Sequence, residues 1–359
     1  CVAQAEGQEV IRRAPHVDIV VGPQSYQELP NLLSTINRTN KHAVKLDFPM
    51  EAKFDKLPIA NNNQRHSAFV TIQEGCDKFC TFCCVPYTRG AEFSRPVADI
   101  IREAMHLTKN SNVSEITLLG QNVNAYHGLD LDLNEEIDLA YLIDKLSNIT
   151  RLKRIRYTTS HPRDMSSSLI QAHGKYKQLM PYLHLPVQSG SNKILKAMNR
   201  KHTAQEYLNI IKQLKTERPD IAFSSDFIVG FPGETDDDFA QTMHLVEQVK
   251  YAQCYSFKYS PRPGTTASTM KLVDEKTQNL RLAKLQAILK QQQDQFNQSM
   301  VGTTTEVLFD KKGKHQGQIA GKTPYMQTVN VVANDSLLGS IAPVTITQLL
   351  GNSFAGKLI

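Results

Sequence analysis

The chain has 359 residues, 40% of them hydrophobic and 21% charged, with a net charge of +6 at pH 7. Such a length allows two or three domains with sizeable cores, the composition is ordinary for a soluble globular protein, and no apolar run approaches the roughly 20 residues that span a bilayer. Six cysteines, four of them between Cys76 and Cys84, exclude a secreted disulfide framework and point to metal binding or redox chemistry in a reducing compartment.

Residues 1–36 read as an αβα piece: "AQAEGQEVIRRAP" has helical spacing, "VDIVVG" is a short buried strand, and "SYQELPNLLSTI" opens on a Ser cap and returns to helical spacing. One strand makes no sheet, so this piece is not a domain by itself. Residues 37–66, including "IANNNQRHS", are polar and aperiodic and read as a linker. From 67 to 270 strand-like runs ("SAFVTIQ", "SEITLLG", "KRIRYTT", "PYLHLPV", "AFSSDFIVG", "QCYSFKYS") alternate with helical stretches such as "VADIIREAMHLTK" and "TAQEYLNIIKQLK". Alternation of this kind implies a parallel sheet with right-handed crossovers. Six units in that length fall short of the roughly 250 residues of a closed eight-unit barrel, so an α/β fold with a partial, open (β/α)6 barrel is expected. A doubly wound sheet is the alternative that periodicity leaves open. Residues 271–298 form a long polar helix with Leu282, Leu285, Leu289 and Phe296 on one face. Residues 299–359 turn to short β-rich runs divided by Gly, Asn, Asp and Lys, the pattern of a small β-barrel.

Cys76, Cys80 and Cys83 form Cys-x-x-x-Cys-x-x-Cys directly after the first barrel strand, where active sites of such folds sit. Three thiolates suit a [4Fe–4S] cluster whose fourth iron has no protein ligand and is open to a small molecule's carboxylate and amine. A structural zinc site is the competing reading, since it wants four closed ligands and Cys84 is an available fourth. Neighbouring side chains on an extended segment point to opposite sides, which makes Cys83 and Cys84 poor co-ligands.

"GCDKFCTFCCVPYTRG", with "LLGQNVNAY", "TSHPRD", "HLPVQSGS", "DFIVGFPGET" and "YSPRPGT" at later strand ends, resembles the radical S-adenosylmethionine (SAM) superfamily, and within it the methylthiotransferases. Cys84 departs from the pattern, which carries an aliphatic residue there, and reads as a small buried hydrophobe. "GKTPYMQTV" and the β-rich tail resemble the TRAM domain, an RNA-binding module; "CVAQAEG" resembles the third cysteine motif of the family's N-terminal domain.

The resemblance implies SAM held near the cluster by strand-end groups: Gln121 and Asn122, Ser160 and His161, Gln188 and Ser189, and the backbone at Gly230 and Gly233. Arg89, Arg95 and Arg262 are candidates for a carboxylate or phosphate. A lone His usually packs or caps, so His184 and His202 are not read as ligands. Cys254 reads as buried and inert. In the tail, Lys311, Lys312, Lys314 and Lys322 are expected to grip RNA phosphates and Tyr325 to stack on a loop base. The target base would then be extruded into the barrel mouth. The family also holds an auxiliary [4Fe–4S] cluster on three N-terminal cysteines. Cys1 alone of these is present, so the sequence reads as starting inside that domain, and this stretch alone is expected to cleave SAM without transferring sulfur.

The implied activity is methylthiolation of carbon 2 of N(6)-isopentenyladenosine beside the tRNA anticodon. It would be carried out by a cytoplasmic (or mitochondrial) monomer that meets an electron-donor protein and the anticodon stem-loop but no membrane. Two rivals remain: the same chemistry on a threonylcarbamoyl-adenosine or a ribosomal-protein aspartate, and a non-catalytic RNA-binding protein with a structural cluster.

Overall fold

The structure is a computed structural model and describes residues 1–39, 41–47 and 66–359; "IANNNQRHS" and most of the expected linker lie outside the described residues except at their ends. The N-terminal piece starts with helices Val2–Glu6 and Gln8–Arg13, broken at Gly7, whose φ of +54° no helix accommodates. Strand β1 (Ile19–Val21) follows, then an 11-residue helix, Leu29–Thr39. Here the linker reading needs a correction. Ala43–Lys45 is strand β2, paired in parallel with β1, and its Ala-Val-Lys run was too short to register as periodic. It supplies the second strand that the piece required.

β3 (Ser67–Thr71) opens the barrel; β4 (Gln73–Glu74) pairs with β5 (Phe93–Ser94) across the cysteine loop. β6 (Glu115–Leu119) is followed by a small hairpin of β7 (His127–Asp130) and β8 (Glu135–Asp138), then by β9 (Arg154–Tyr157), β10 (Tyr182–His184), β11 (Ala222–Val229) and β12 (Gln253–Lys258). β3–β6–β9 and β10–β11–β12 are parallel ladders, and the backbone at Ile155 of β9 bridges them through Gln178 and Met180. The strands therefore stand in sequence order around one arc. A doubly wound sheet reverses strand order at a switch point; this sheet does not, which decides for the partial (β/α)6 barrel. Among the described residues β12 and β3 do not pair, so the arc is open.

The barrel helices start where the sequence caps them: Thr203 and Thr235 form capping boxes with Glu206 and Asp238, and Asp138, Ser166 and Ser191 accept from the first turn. Val70, Ile116, Leu118, Ile155 and Phe227 from the strands pack with Ile100, Leu142, Tyr207 and Leu245 from the helices in one core. The connecting helix, Glu275–Met300, adds Leu285 and Leu289 to that core. The tail is a closed barrel of β13 (Thr304–Lys312), β14 (Gln318–Lys322), β15 (Thr328–Val332), β16 (Ile341–Leu350) and β17 (Ser353–Leu358), in the order β13-β14-β15-β17-β16 and back to β13. Its own core includes Val307, Phe309, Val329, Ile346 and Phe354.

Buried charge joins the two barrels. Arg154 donates to Lys322 O (2.8 Å) and Glu306 O (3.0 Å), and Arg156 donates to Pro324 O (2.7 Å) and Thr323 O (3.1 Å). Glu115 lies 3.1 Å from Arg156 Nε and 3.7 Å from Arg154 Nη1. Arg154 and Glu115 begin β9 and β6, so the small barrel sits under the amino ends of the strands.

Candidate active site

The cysteine loop lies at the carboxyl end of β3, and its path is fixed by amides. Gly75 turns at φ +78°, and a Cβ there would lie 1.9 Å from Ala91 O, so only glycine fits. Buried Gln73 donates through Nε2 to Gly75 O (2.7 Å), and its Oε1 accepts from Gln121 N (2.8 Å) and Asn122 N (3.0 Å). Gln121 Oε1 in turn accepts from Gly75 N at 2.7 Å. The loop after β6 is thereby stitched to the loop after β3. On the far side Thr81 bonds to Met198 O and Ala197 O, and Asn199 Nδ2 donates to Phe79 O at 2.8 Å.

Cys80 is buried, and Cys76 and Cys83 are half-buried. Burial pushes the Cys76 and Cys83 thiols up to about 11, against backbone N–H donors at Lys78 and Val85 that favour the thiolate. Charge on Cys80, Cys84 or Cys76 would push Cys83 further, so all four thiols share one electrostatic neighbourhood. Among the described residues no three His, Cys, Asp or Glu side chains are already disposed as a metal-ligand set. Without a metal the Cys76 and Cys83 thiols keep their protons at pH 7. Cys84 is the N-cap of the helix Val85–Arg89, and the helix after Cys1 packs on that helix.

The expected cofactor residues separate into two groups. Asn122, Ser160 and His161 are buried at the strand ends and carry polar atoms with no partner: Asn122 Oδ1, Ser160 Oγ and His161 Nε2. Asn122 Nδ2 and Lys78 Nζ share the Asp164 carboxylate, each at 2.8 Å. Asn124 brackets the His161 backbone from both sides. His202, whose ring is 5.7 Å from that of His161, also has an unpartnered Nε2, as Tyr259 has an unpartnered Oη. Burial lowers both imidazoles, His202 to about 4, so each is neutral at pH 7. Buried polar groups normally find partners; so many orphans around one thiol loop fit a polar ligand.

Other candidates are occupied elsewhere. Ser189 Oγ contacts Thr242 Oγ1 and accepts from Ser191 N, tying its loop to the helix Asp236–Val249. Gln188 has φ +76°, and its backbone bridges β11. At Gly230 a Cβ would meet Gln278 of the connecting helix at 2.5 Å, and its N–H donates to Glu234; Gly233 turns at φ +84° with open space around it. Arg89 pairs with Glu74 (3.0 Å) and Arg95 with Glu103 (2.8 Å), so both charges are already matched. In the small barrel Lys311 and Lys314 are exposed, and Lys312 pairs with Asp335. Lys322 is half-buried and donates to Met326 O and Thr328 Oγ1; Tyr325 packs edge-on against Phe296 and donates to Asp220 O. Tyr325 thus helps hold the seam, while the Lys322 side chain braces its own turn.

Residues 70–246 match the Radical SAM superfamily and residues 298–359 the TRAM domain. The tRNA-2-methylthio-N(6)-dimethylallyladenosine synthase of Wolbachia pipientis (strain wPip) is 60% identical over 362 residues, covering 99% of this chain and 81% of its own. The chain belongs to that synthase family. The Rickettsia felis synthase is 58% identical over 361 residues, covering all of this chain and 81% of its own. Among solved structures the cobalamin-dependent radical enzyme OxsB, with aqua-cobalamin and SAM bound, shares the fold at a TM-score of 0.50 and 14% identity, over 81% of this chain and 42% of that one.

Membership in the synthase family implies a [4Fe–4S] cluster and SAM, and the residues present fit both: three thiols on one loop, beside unpartnered polar atoms. Sequence reasoning missed Gln73 and Asp164, whose roles depend on contacts across 48 and 42 residues that no spacing reveals. It also passed over Arg200, which donates to the Cys80 sulfur at 3.7 Å.

Proposed function

We propose that this protein installs a methylthio group at carbon 2 of N(6)-dimethylallyladenosine in tRNA. One observation carries the reading beyond family likeness: the three-thiol loop is closed by Gln73 and Gln121 at the mouth of the open barrel, facing Asn122, Ser160 and His161 with their unpartnered atoms. Cys76, Cys80 and Cys83 would hold the cluster, and Asn122, Ser160 and His161 would orient SAM beside it. When bound, these cofactors supply the one-electron and radical chemistry. Cys1 can contribute one ligand to a second, auxiliary cluster. The protein's part is to seal the loop, keep both histidines neutral, and present an unfilled lumen to the base.

That lumen is a cavity of about 260 Å³ lined by residues that include Phe69, Thr158, Tyr182, His184, Tyr255 and Met326. Lys311 and Lys314 on the TRAM domain would hold phosphates while an anticodon-loop base enters the cavity. A one-electron protein donor, a monomeric state and a cytoplasmic site belong to the same proposal. Among the described residues no helix is long and apolar enough to cross a membrane.

The first test is anaerobic reconstitution with iron and sulfide, followed by iron counting and incubation with SAM, reductant and prenylated tRNA. About four irons per chain, the content of one such site, with 5′-deoxyadenosine formed, supports the reading; about eight would place a second cluster at Cys1. Negligible iron with zinc retained refutes it. Mass spectrometry of the tRNA nucleosides then distinguishes a dimethylallyladenosine product from a threonylcarbamoyl-adenosine one.

A further inference from the structure

Arg200 has 5% of its surface exposed, and its guanidinium bonds to Pro186 O through Nη2 and to Cys80 Sγ through Nη1, at 3.7 Å. Its Nε has no partner, and no carboxylate lies within ion-pair distance among the described residues. The titratable groups that feel its charge include His161 and His202, both neutral, and the buried Tyr207 hydroxyl. A guanidinium stays charged in proteins, and a buried charge without a counter-charge is among the costliest features a fold can contain. Of its two hydrogen-bond partners, Pro186 O and Cys80 Sγ, only the sulfur can carry a negative charge. A cluster bound through three thiolates would bring that negative charge.

We propose that Arg200 is the built-in counter-cation of the cluster: it donates a hydrogen bond to the Cys80 sulfur and raises the cluster's reduction potential. The inference rests on the cluster assignment above. Reduction adds one electron, supplied in the assay by dithionite, and no proton. A fixed positive charge stabilises the more negative, reduced state more than the oxidised one, and hydrogen bonds to cluster sulfurs act in the same direction. Arg200 is thus a positioning and tuning residue.

The test is an EPR-monitored redox titration of the reconstituted full chain without SAM, comparing wild type with Arg200→Gln and Arg200→Lys, with iron counted in each. The expected result is a full iron complement in all three, a midpoint shifted downward in Arg200→Gln, and a midpoint restored towards wild type in Arg200→Lys. A midpoint unchanged in Arg200→Gln overturns the proposal while leaving the cluster assignment standing. The same holds if that variant only weakens SAM binding, which would assign Arg200 to the carboxylate of SAM. Should Arg200→Gln fail to load, wild-type chain labelled with ¹⁵N-arginine gives a second measurement. A nitrogen hyperfine coupling to the reduced cluster supports the contact, and its absence overturns it. A wild-type chain that takes up no iron refutes the cluster assignment, and this inference with it.

Discussion

Replacing Arg156 with methionine should undock the TRAM domain from the radical SAM barrel. Arg156 is 5% exposed and donates to two TRAM carbonyls, Pro324 O and Thr323 O. Its Nε stands 3.1 Å from Glu115 Oε2 but is not aligned as a hydrogen bond, so that attraction is one of charge. Methionine keeps the packing of the stem and removes both donors, each worth about 1.5–3 kcal/mol as a charged hydrogen bond. It also leaves Glu115, 4% exposed, with only Arg154 at 3.7 Å. Breaking one side of a buried ion cluster costs about 3–5 kcal/mol, and we expect a loss in that range at the seam. Because the TRAM barrel has its own core around Phe309 and Phe354, it should stay folded. The loss then appears as faster amide hydrogen exchange in residues 322–327 and as separate urea transitions for the two barrels. The double variant Glu115→Leu/Arg156→Met should cost at least about 1 kcal/mol less than the sum of the single changes, since it leaves no stranded carboxylate. A cost below about 1 kcal/mol for Arg156→Met, or strict additivity in the double variant, refutes the reasoning.

Gly75→Ala puts a Cβ 1.9 Å from Ala91 O at φ +78°; backbone strain alone costs roughly 1–3 kcal/mol, and iron content after reconstitution should fall well below wild type. His173 is fully buried against the Tyr157 hydroxyl (2.8 Å), and burial lowers it from 6.5 to about 3. The unfolded chain therefore takes up this proton first, and stability is lost as pH falls from about 6.5 towards 3, at up to about 1.4 kcal/mol per unit. Urea midpoints at pH 7, 6 and 5 should converge less steeply in His173→Gln, and an unchanged slope would contradict this. Met326→Trp should fill the lower lumen. Deoxyadenosine formation without tRNA should remain at the wild-type rate while tRNA methylthiolation, assayed with the auxiliary cluster in place, drops at least several-fold; equal loss of both would mean that the lumen is not the base's route.

Strand positions were legible in the sequence because each barrel strand is a short apolar or alternating run between turn signals, and the caps at Thr203 and Thr235 are local. The thiol loop was legible for the same reason, as its three cysteines fall within eight residues. The number of units predicts the open six-unit barrel, but periodicity leaves the doubly wound alternative standing, because strand order depends on which helix crosses where. The backbone bridge at Ile155, which joins the two ladders into one arc, decides it. For Ser189, Gly230, Lys322 and Tyr325 the spacing of the sequence does not show the contacts that the structure gives them. Each is a polar or flexible residue at a strand end or turn, and its partner (Thr242, Gln278, Met326, Asp220) comes from an element remote in sequence or from its own turn. Arg200 was passed over because a buried arginine looks like any other basic residue until its lack of a carboxylate can be seen.

The opposed placement of the two functional ends limits how RNA can be handled. The thiols sit at the carboxyl end of β3, while the TRAM domain is seated under the amino ends of β6 and β9. A closed eight-stranded barrel fills its interior with packed side chains, but this arc leaves Phe69 69% exposed and Tyr255 48% exposed towards its lumen. The cavity between them runs from Met326 on the TRAM domain to Thr158 beside the cofactor loops. On the proposed reading, an RNA held on the exposed Lys311 and Lys314 would meet the thiol end through the unfilled lumen or along the open edge between β12 and β3. Either way its reach is set by the Glu115–Arg154–Arg156 seam. On that argument Arg156→Met should depress tRNA methylthiolation while leaving SAM cleavage intact, because nothing at the seam touches the thiol loop.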